Sequence, residues 1–419
     1  MLKVLNNNML RTFLCFFEYT YCKNDYLDFF MKKTMKKWQG ILAIFIIQVL
    51  FFTNGIKTFA LEVKAPSVVL MEASTGKVIY EKDAYTKRSP ASVTKVMTLL
   101  LVFEELEKGT IGINDLVTTS AYAKSMGGSQ VYLEEGEHQS VETLIKCITI
   151  ASGNDASVAM AEYISGTEKD FVDKMNKKAK ELGMNYTNFV DCCGLTDSDN
   201  HYTCAYDIAI MSKELITKYP QIFDYSTIWM EDITHTTQKG SSNFTLSSTN
   251  KLLKQYEWTT GLKTGYTSKA KFCISATAKK DDIELIAVVM GADTSQNRNS
   301  DAIAMFNYGF NTARLYVDDD KKELPQIPVN GGVLESVSLK CQYPFRYLDI
   351  EGRDLSQIVK EVRVQKECKA PIEEGQVAGE VVYSLSGEWI GSVPLLYAES
   401  VIRVNYIYVL KMILSEYLL

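Results

Sequence analysis

Thr260-Gly261-Leu262-Lys263-Thr264-Gly265-Tyr266-Thr267 decides how this chain is read. K-T-G occurs once, and two apolar runs follow it, Phe272–Ala278 and Ile283–Met290, joined by the polar turn Lys279–Asp282. That spacing predicts a strand carrying the motif and a hairpin beyond it. Upstream, Val68–Met71 and Val78–Glu81 flank Ala73-Ser74-Thr75-Gly76, which predicts a second hairpin. Helical patterns fill the interval as far as about Leu215. Phe171, Met175, Ala179 and Leu182, for example, recur at helical spacing behind a lysine-rich outer face. A helix over Asp301–Arg314 closes the unit. Strands at both ends of a helical middle predict an α/β (α+β) sheet covered by helices.

Two motifs precede K-T-G at workable distances, Ser92-Val93-Thr94-Lys95 and Ser152-Gly153-Asn154. A lysine three residues after a serine, an S-x-N turn and a K-T-G strand describe a serine acyl-transfer site in which lysine moves the proton. Ser92 begins a run that reads as a buried helix, with Pro90 suited to its start. Positions i and i+3 share a helix face, so Lys95 can reach the Ser92 hydroxyl. Ser152 lies on a tight connection between the run Leu144–Ala151 and the helical pattern Asp155–Ile164. Decoys exist: Ser248…Lys251 and Ser268…Lys271 fit S-x-x-K, while Ser198-Asp199-Asn200, Ser241-Ser242-Asn243 and Ser248-Thr249-Asn250 fit S-x-N. Ser198 sits in an aperiodic polar stretch, and Ser248 lies too close to Lys263 to leave room for a domain between them.

The chemistry assigns roles. Ser92 is the nucleophile and Lys95 its base, which must be neutral to act. Its pKa therefore has to fall from about 10.4 through burial and a neighbouring positive charge. Lys263 supplies that charge and can bind a terminal carboxylate. Ser152 can relay a proton to the leaving amine, and Asn154 can hold the substrate amide. Lys263-Thr264-Gly265 is expected on an edge strand that an extended substrate joins by backbone pairing, Gly265 letting the backbone come close.

Arg88-Ser89-Pro90-Ala91-Ser92-Val93-Thr94-Lys95-Val96-Met97-Thr98 resembles the nucleophile segment of the low-molecular-mass penicillin-binding proteins, the D-alanyl-D-alanine carboxypeptidases of bacterial cell walls. Ser152-Gly153-Asn154-Asp155-Ala156, Thr260–Thr267, Met175–Met184 and Leu285–Gly291 are similar to that family too. The resemblance runs from about Val68 to Phe310 and more loosely beyond. It implies an antiparallel sheet of the serine β-lactamase/DD-peptidase type, with Ser92 attacking the bond between two D-alanines. It also implies stem peptides as substrate, β-lactams as covalent inhibitors, and an oxyanion hole from the backbone N–H groups of Ser92 and Tyr266. Two stretches depart from the family. It usually reads N-P-H-G-L where this chain has Asp191-Cys192-Cys193-Gly194-Leu195. It has Ala-Gly, and with it close packing beside the K-T-G strand, where this chain has Ala270-Lys271.

Composition narrows the rest. The chain has 419 residues, a net charge of −6 and a pI near 5.4, with no electrostatic footprint for nucleic acid. Nine cysteines without a C-x-x-C pair suggest free thiols or one or two bridges, and no cofactor is indicated. Three histidines, none in a nucleophile-elbow context, argue against a Ser-His-Asp hydrolase; His201 reads as a structural or loop histidine. No metal pattern is present. Residues 1–30 are an unexplained extension, consistent with a start codon placed too far upstream. Residues 31–60 read as a signal peptide with a basic start, an apolar Gly40–Phe52 and Thr58-Phe59-Ala60 as cleavage site, an uncleaved anchor being the competing reading. The catalytic domain is placed at 61–314 and a small all-β domain at 315–400. Residues 401–419 form an amphipathic helix, which the resemblance sets on a membrane surface; the alternative is a helix packed on the β domain. The expected location is the outer face of the cytoplasmic membrane. Two rivals to the carboxypeptidase are a serine β-lactamase, for which Glu181-Leu182-Gly183-Met184-Asn185 has an E-x-x-x-N spacing that reads as accidental, and a silent wall-peptide-binding module.

Overall fold

The computed structural model describes residues 61–237, 240–318 and 324–417, so the extension and the signal segment lie outside the described residues. Leu61–Leu419 forms one compact unit. Its centre is a five-stranded sheet of β1 (Ser67–Glu72), β2 (Val78–Lys82), β5 (Thr259–Thr267), β6 (Lys271–Lys280) and β7 (Ile283–Ala292). Their spatial order is β2-β1-β7-β6-β5, with every pairing antiparallel. The sheet is thus closed by N-terminal and C-terminal strands meeting in the middle, Val68 opposite Val289 and Leu70 opposite Ala287.

Alternation explains why these strands are almost continuously apolar. Val69, Met71, Ile286, Val288 and Met290 point into one core, while Val68, Leu70, Leu285, Ala287 and Val289 point into another. All ten are fully buried. At about 1.5–3 kcal/mol per large side chain, the nine larger of them anchor both faces strongly. The first face is covered by α1 (Lys95–Glu107) and α5 (Ala205–Lys218), and the second by α6 (Ser295–Thr312).

The helical middle adds α2 (Val141–Thr149), α3 (Asn154–Ser165) and α4 (Glu168–Glu181). Ser140 and Thr167 cap α2 and α4 through side-chain oxygens that accept from Thr143 N and Asp170 N. One hairpin was not foreseen: β3 (Met230–Thr237) and β4 (Gly240–Ser247) pair only with each other. Their solvated sequence lacks the apolar alternation that marks a half-buried strand.

Beyond α6 the chain is all β. β8 (Arg314–Val317) pairs with β9 (Arg346–Asp349), whose Leu348 packs into the second core of the catalytic sheet. A four-stranded sheet orders Leu339–Cys341, β12 (Glu388–Tyr397), β11 (Val377–Leu385) and β10 (Ile358–Val364). It has a separate core in which Phe345 stacks on Tyr383 at 3.8 Å. The last helix, α7 (Tyr406–Tyr417), exposes Tyr406 through Ser415 and is not packed on the β domain. No helix among the described residues is long and apolar enough to cross a membrane. The seven described cysteines are free thiols.

Candidate active site

Ser92 does not begin an α-helix. Ala91–Thr94 is a single 3-10 turn, and the α-helix starts at Lys95. Ala91, held at φ 48°, breaks the regular start that Pro90 suggested. The turn is braced from behind. Val190 N donates to His201 Nδ1 (3.2 Å), so the ring proton sits on Nε2 and is donated to Thr94 Oγ1 (2.8 Å). Thr94 Oγ1 in turn donates to Ala91 O (2.8 Å). His201 is therefore a buried structural group on a connecting segment, in line with the sequence reading. Burial pushes its pKa down, opposed by Asp191 at 3.9 Å.

Lys95 is fully buried, with Nζ 3.2 Å from Ser92 Oγ. It also donates to Asn154 Oδ1 (2.6 Å) and to the carbonyl of Cys193 (2.7 Å). None of these acceptors is a carboxylate. Burial lowers its pKa; the nearby Cys193, Cys192, Asp191 and Asp155 pull the other way. The neutral amine a base requires is thus favoured by the site.

The contribution of the Asp191–Leu195 segment was not legible in the sequence. Besides the Cys193 carbonyl on Lys95, the Cys192 carbonyl accepts from Thr98 Oγ1 (2.5 Å) on the next turn of α1. Asp191 shapes the loop, taking the N–H groups of Cys193 (2.9 Å), Gly194 and Thr196 (2.8 Å). Gly194 has φ +76°, and a Cβ there would lie 1.8 Å from Ala91 O. Only its match to the five-residue family block could have flagged the segment. The Cys-Cys departure leaves the backbone contacts to α1 intact.

Ser152 and Asn154 stand where the link between α2 and α3 was expected, Asn154 being the first residue of α3. Asn154 is bonded on both sides, accepting from Lys95 and donating through Nδ2 to Gly127 O (2.7 Å). Ser152 is held at φ +64°, and its buried Oγ has no hydrogen-bond partner. A buried hydroxyl without a partner is unusual and leaves it ready for an incoming group.

K-T-G lies on β5 at the sheet edge, as expected. A Cβ on Gly265 would meet Pro90 O at 2.8 Å and Ser92 N at 3.0 Å, so glycine lets the strand lie directly against the Ser92 turn. That contact puts the backbone of Ser92 beside Gly265-Tyr266; the Tyr266 ring is exposed and lies against Phe272. Thr264 Oγ1 donates to Thr249 Oγ1 (2.7 Å). Lys263 is fully buried, its Nζ donating to Thr264 O (3.0 Å), and is not hydrogen-bonded to Lys95 or Ser152. Burial first, then Lys95 and Arg298, lower its pKa, so the two lysines disfavour each other's charge. Arg298, on α6, is a further buried cation that the sequence reading missed.

Lys271, in place of the family's glycine, sits at φ +59° with its side chain exposed. The position demands backbone conformation rather than the close packing expected of it. Glu181 is half exposed at the end of α4 and paired with Lys178 at 3.0 Å, outside the site. Glu168, Asp191 and Cys193 bring potential metal-ligand atoms within 4.8 Å of one another. Glu168, however, already accepts from Cys192 N (2.9 Å) and Tyr122 OH (2.7 Å), and Asp191 from the loop N–H groups.

Known proteins share both the catalytic unit and the β domain. The family profile of D-alanyl-D-alanine carboxypeptidase matches residues 54–294, and that of the penicillin-binding protein 5 C-terminal domain matches 310–403. The D-alanyl-D-alanine carboxypeptidase DacF of Bacillus subtilis is 42% identical over 367 residues, covering 87% of this chain and 92% of the relative. The structure of penicillin-binding protein 5 from Haemophilus influenzae superposes with a TM-score of 0.68 at 31% identity, over 82% of this chain and 98% of that one. Penicillin-binding protein D2 from Listeria monocytogenes, in its ampicillin-bound form, is similar at TM-score 0.52 and 28% identity, over 60% of this chain and 99% of that one.

Proposed function

The chain belongs to the D-alanyl-D-alanine carboxypeptidase family and is a serine-type D-alanyl-D-alanine carboxypeptidase, and from that premise we propose how its own residues perform the reaction. Peptidoglycan stem peptides as substrate and β-lactams as inhibitors fit that membership. Ser92 Oγ attacks the carbonyl between the two D-alanines while Lys95 takes its proton. The N–H groups of Ser92 and Tyr266 receive the oxyanion. Ser152 passes a proton to the departing D-alanine, and water then releases the shortened peptide. Asn154 holds both Lys95 and the substrate amide, and the edge of β5 around Thr264 and Gly265 pairs with the peptide backbone. The terminal carboxylate restores the charge on Lys263 that burial suppresses, which in turn keeps Lys95 neutral.

The observation that carries this reading is Lys95 Nζ, buried and free of any carboxylate partner, 3.2 Å from Ser92 Oγ. The absence of Glu181 from the site removes the reason for favouring a β-lactamase, and the Lys95–Ser92 contact argues against a silent binder. The test is release of D-alanine from a peptide ending Lys-D-Ala-D-Ala. Ser92→Ala should abolish both release and labelling by a fluorescent penicillin; labelling that persists, or moves to Ser248 or Ser268, sinks the assignment.

The same proposal places the enzyme outside the cytoplasmic membrane, with α7 lying in its surface. Ile407, Leu410, Ile413 and Leu414 are exposed on that helix, uncovered by any of the described residues, which favours a lipid interface. An N-terminus near Leu61 in wall-associated protein, and loss of membrane retention on removing 401–419, are the expected results.

A further inference from the structure

Ser248-Thr249-Asn250 fits S-x-N yet is not the second motif, and the structure gives it a place of its own. The segment leaves β4 and is pinned to both motifs that flank Ser92. Thr249 N donates to the carbonyl of Ile150 (3.2 Å), two residues before Ser152. Asn250, which is buried, donates through Nδ2 to the carbonyl of Gly261 (3.0 Å), two residues before Lys263. Its Oδ1 accepts from Leu252 N (3.1 Å), and Ser248 N donates to Trp229 O (2.8 Å). The backbone at Thr249 is therefore held from both directions whatever its side chain does.

Thr249 is the exposed member of the three. Its Oγ1 accepts from Thr264 Oγ1 (2.7 Å) of K-T-G. Each hydroxyl has one proton to give. The proton of Thr264, a buried residue, is spent on Thr249, while the proton of Thr249 meets no acceptor among the described residues. A hydroxyl that already accepts a hydrogen bond is the stronger donor, because successive bonds polarise one another. The departing D-alanine has to lie between Ser152, which protonates its amine, and K-T-G. Thr249 is joined to both sides of that position.

We propose that Thr249 is a substrate-binding residue whose hydroxyl donates to the terminal carboxylate of the departing D-alanine. Thr264 then acts from behind, polarising Thr249, and is not itself the hydroxyl that meets the carboxylate. The inference rests on the carboxypeptidase reading and deepens it. A side chain outside all three motifs becomes a determinant of the demand for a free C-terminus, directing the carboxylate whose charge Lys263 balances.

Thr249→Val keeps the shape and the backbone bond to Ile150 but removes the hydroxyl, and Thr249→Ser keeps the hydroxyl. The full-length enzyme and both variants should be given two peptides ending Lys-D-Ala-D-Ala, one a free acid and one amidated at that terminus. Each peptide is measured as a competitor of Ser92 labelling by a fluorescent penicillin, so one that binds without being cleaved still gives a value. Thr249→Val should weaken competition by the acid about tenfold, as expected for one hydrogen bond to a charged group, and leave the amide unchanged. Thr249→Ser should compete like the parent on both. Equal weakening of acid and amide would make Thr249 a structural tie only and overturn the assignment, as would an acid that Thr249→Val does not affect. Should Thr249→Val fail to label, Thr249→Ala, which removes the hydroxyl without adding a methyl, decides in its place. Failure of the unaltered enzyme to release D-alanine from the acid would strike the carboxypeptidase reading instead, while the comparison of acid with amide still reports on Thr249.

Discussion

Gly194→Ala tests whether the Asp191–Leu195 loop holds the nucleophile turn in place. Its Cβ would stand 1.8 Å from Ala91 O and 2.8 Å from Thr94 Oγ1. Real Cβ atoms essentially never approach within 3.0 Å, so the two segments must separate by at least 3.0 − 1.8 = 1.2 Å. Cys193, the residue before, carries the carbonyl on Lys95, and Ala91 precedes Ser92. Misplacement of reacting groups by about 1 Å can reduce a rate on the order of a hundredfold, or about 2.7 kcal/mol of barrier. Alanine at φ +76° adds about 1–2 kcal/mol of backbone strain, which lowers stability whatever the contact does. Gly183→Ala separates the two effects, because Gly183 has φ +74° with nothing within 4 Å of its Cβ position. Both variants should lose similar stability from strain, and only Gly194→Ala should also lose about a hundredfold in the acylation rate by a fluorescent penicillin. Folded Gly194→Ala protein that acylates as fast as Gly183→Ala would refute the argument, since the loop would then not set the geometry of Ser92 and Lys95.

Lys95→Arg should leave Ser92 without a base, because arginine does not deprotonate at working pH; acylation at the parent rate would exclude lysine as the base. In the unaltered enzyme the acylating form is the neutral amine, whose pKa is lowered by burial. Acylation should therefore rise with pH and level off below the ordinary lysine value of about 10.4, and a rise that continues past it contradicts the depressed pKa. Lys271→Gly should leave acylation unchanged and raise the melting temperature slightly. Relief of about 1–2 kcal/mol of left-handed strain at φ +59° outweighs the roughly 0.5–1 kcal/mol that glycine adds in chain entropy, and a lower melting temperature refutes this. Burial places the folded-state pKa of His201 below its ordinary 6.5, so the unfolded chain takes up that proton first. Stability should accordingly fall as pH drops below about 6.5, down to the depressed folded value, and His201→Gln should flatten that part of the profile; an unchanged slope would show that another group is responsible.

The parts of the site read from sequence were those set by local geometry. Ser92 and Lys95 are three residues apart on one turn of chain, and K-T-G stands on a strand whose apolar partners follow in order. Even so, the local rule missed the start of α1, because Ala91 takes a left-handed conformation that its side chain gives no reason to expect. The Asp191–Leu195 loop, the burial of Arg298 and the anchoring of His235 depend on contacts between residues far apart in the chain. The Cys193–Lys95 bond spans 98 positions, and the His235–Glu137 bond likewise spans 98. Neither period nor propensity encodes such pairs.

Backbone strain at three positions around the site is offset by the bonds that frame them. Ala91, Tyr132 and Ser152 are non-glycine residues at φ of 48°, 63° and 64°. Each such residue costs on the order of 1–3 kcal/mol unless its surroundings hold it there. Thr94 and His201 fix the carbonyl of Ala91. Asp155 takes the N–H groups on both sides of Tyr132, from Val131 at 3.1 Å and Leu133 at 3.1 Å. Asn154 N donates to Ser129 O at 2.7 Å, tying the S-x-N turn to the same loop. Asp155, in the helix that follows the S-x-N turn, therefore holds the strained segment at Tyr132 from both sides. Lys95, which follows the nucleophile turn, ties it to this frame by donating to Asn154. Protonation of Lys95 strengthens that bond at the expense of its role as base. The lysine that best holds the site together is thus the charged one, and the lysine that does the chemistry is the neutral one.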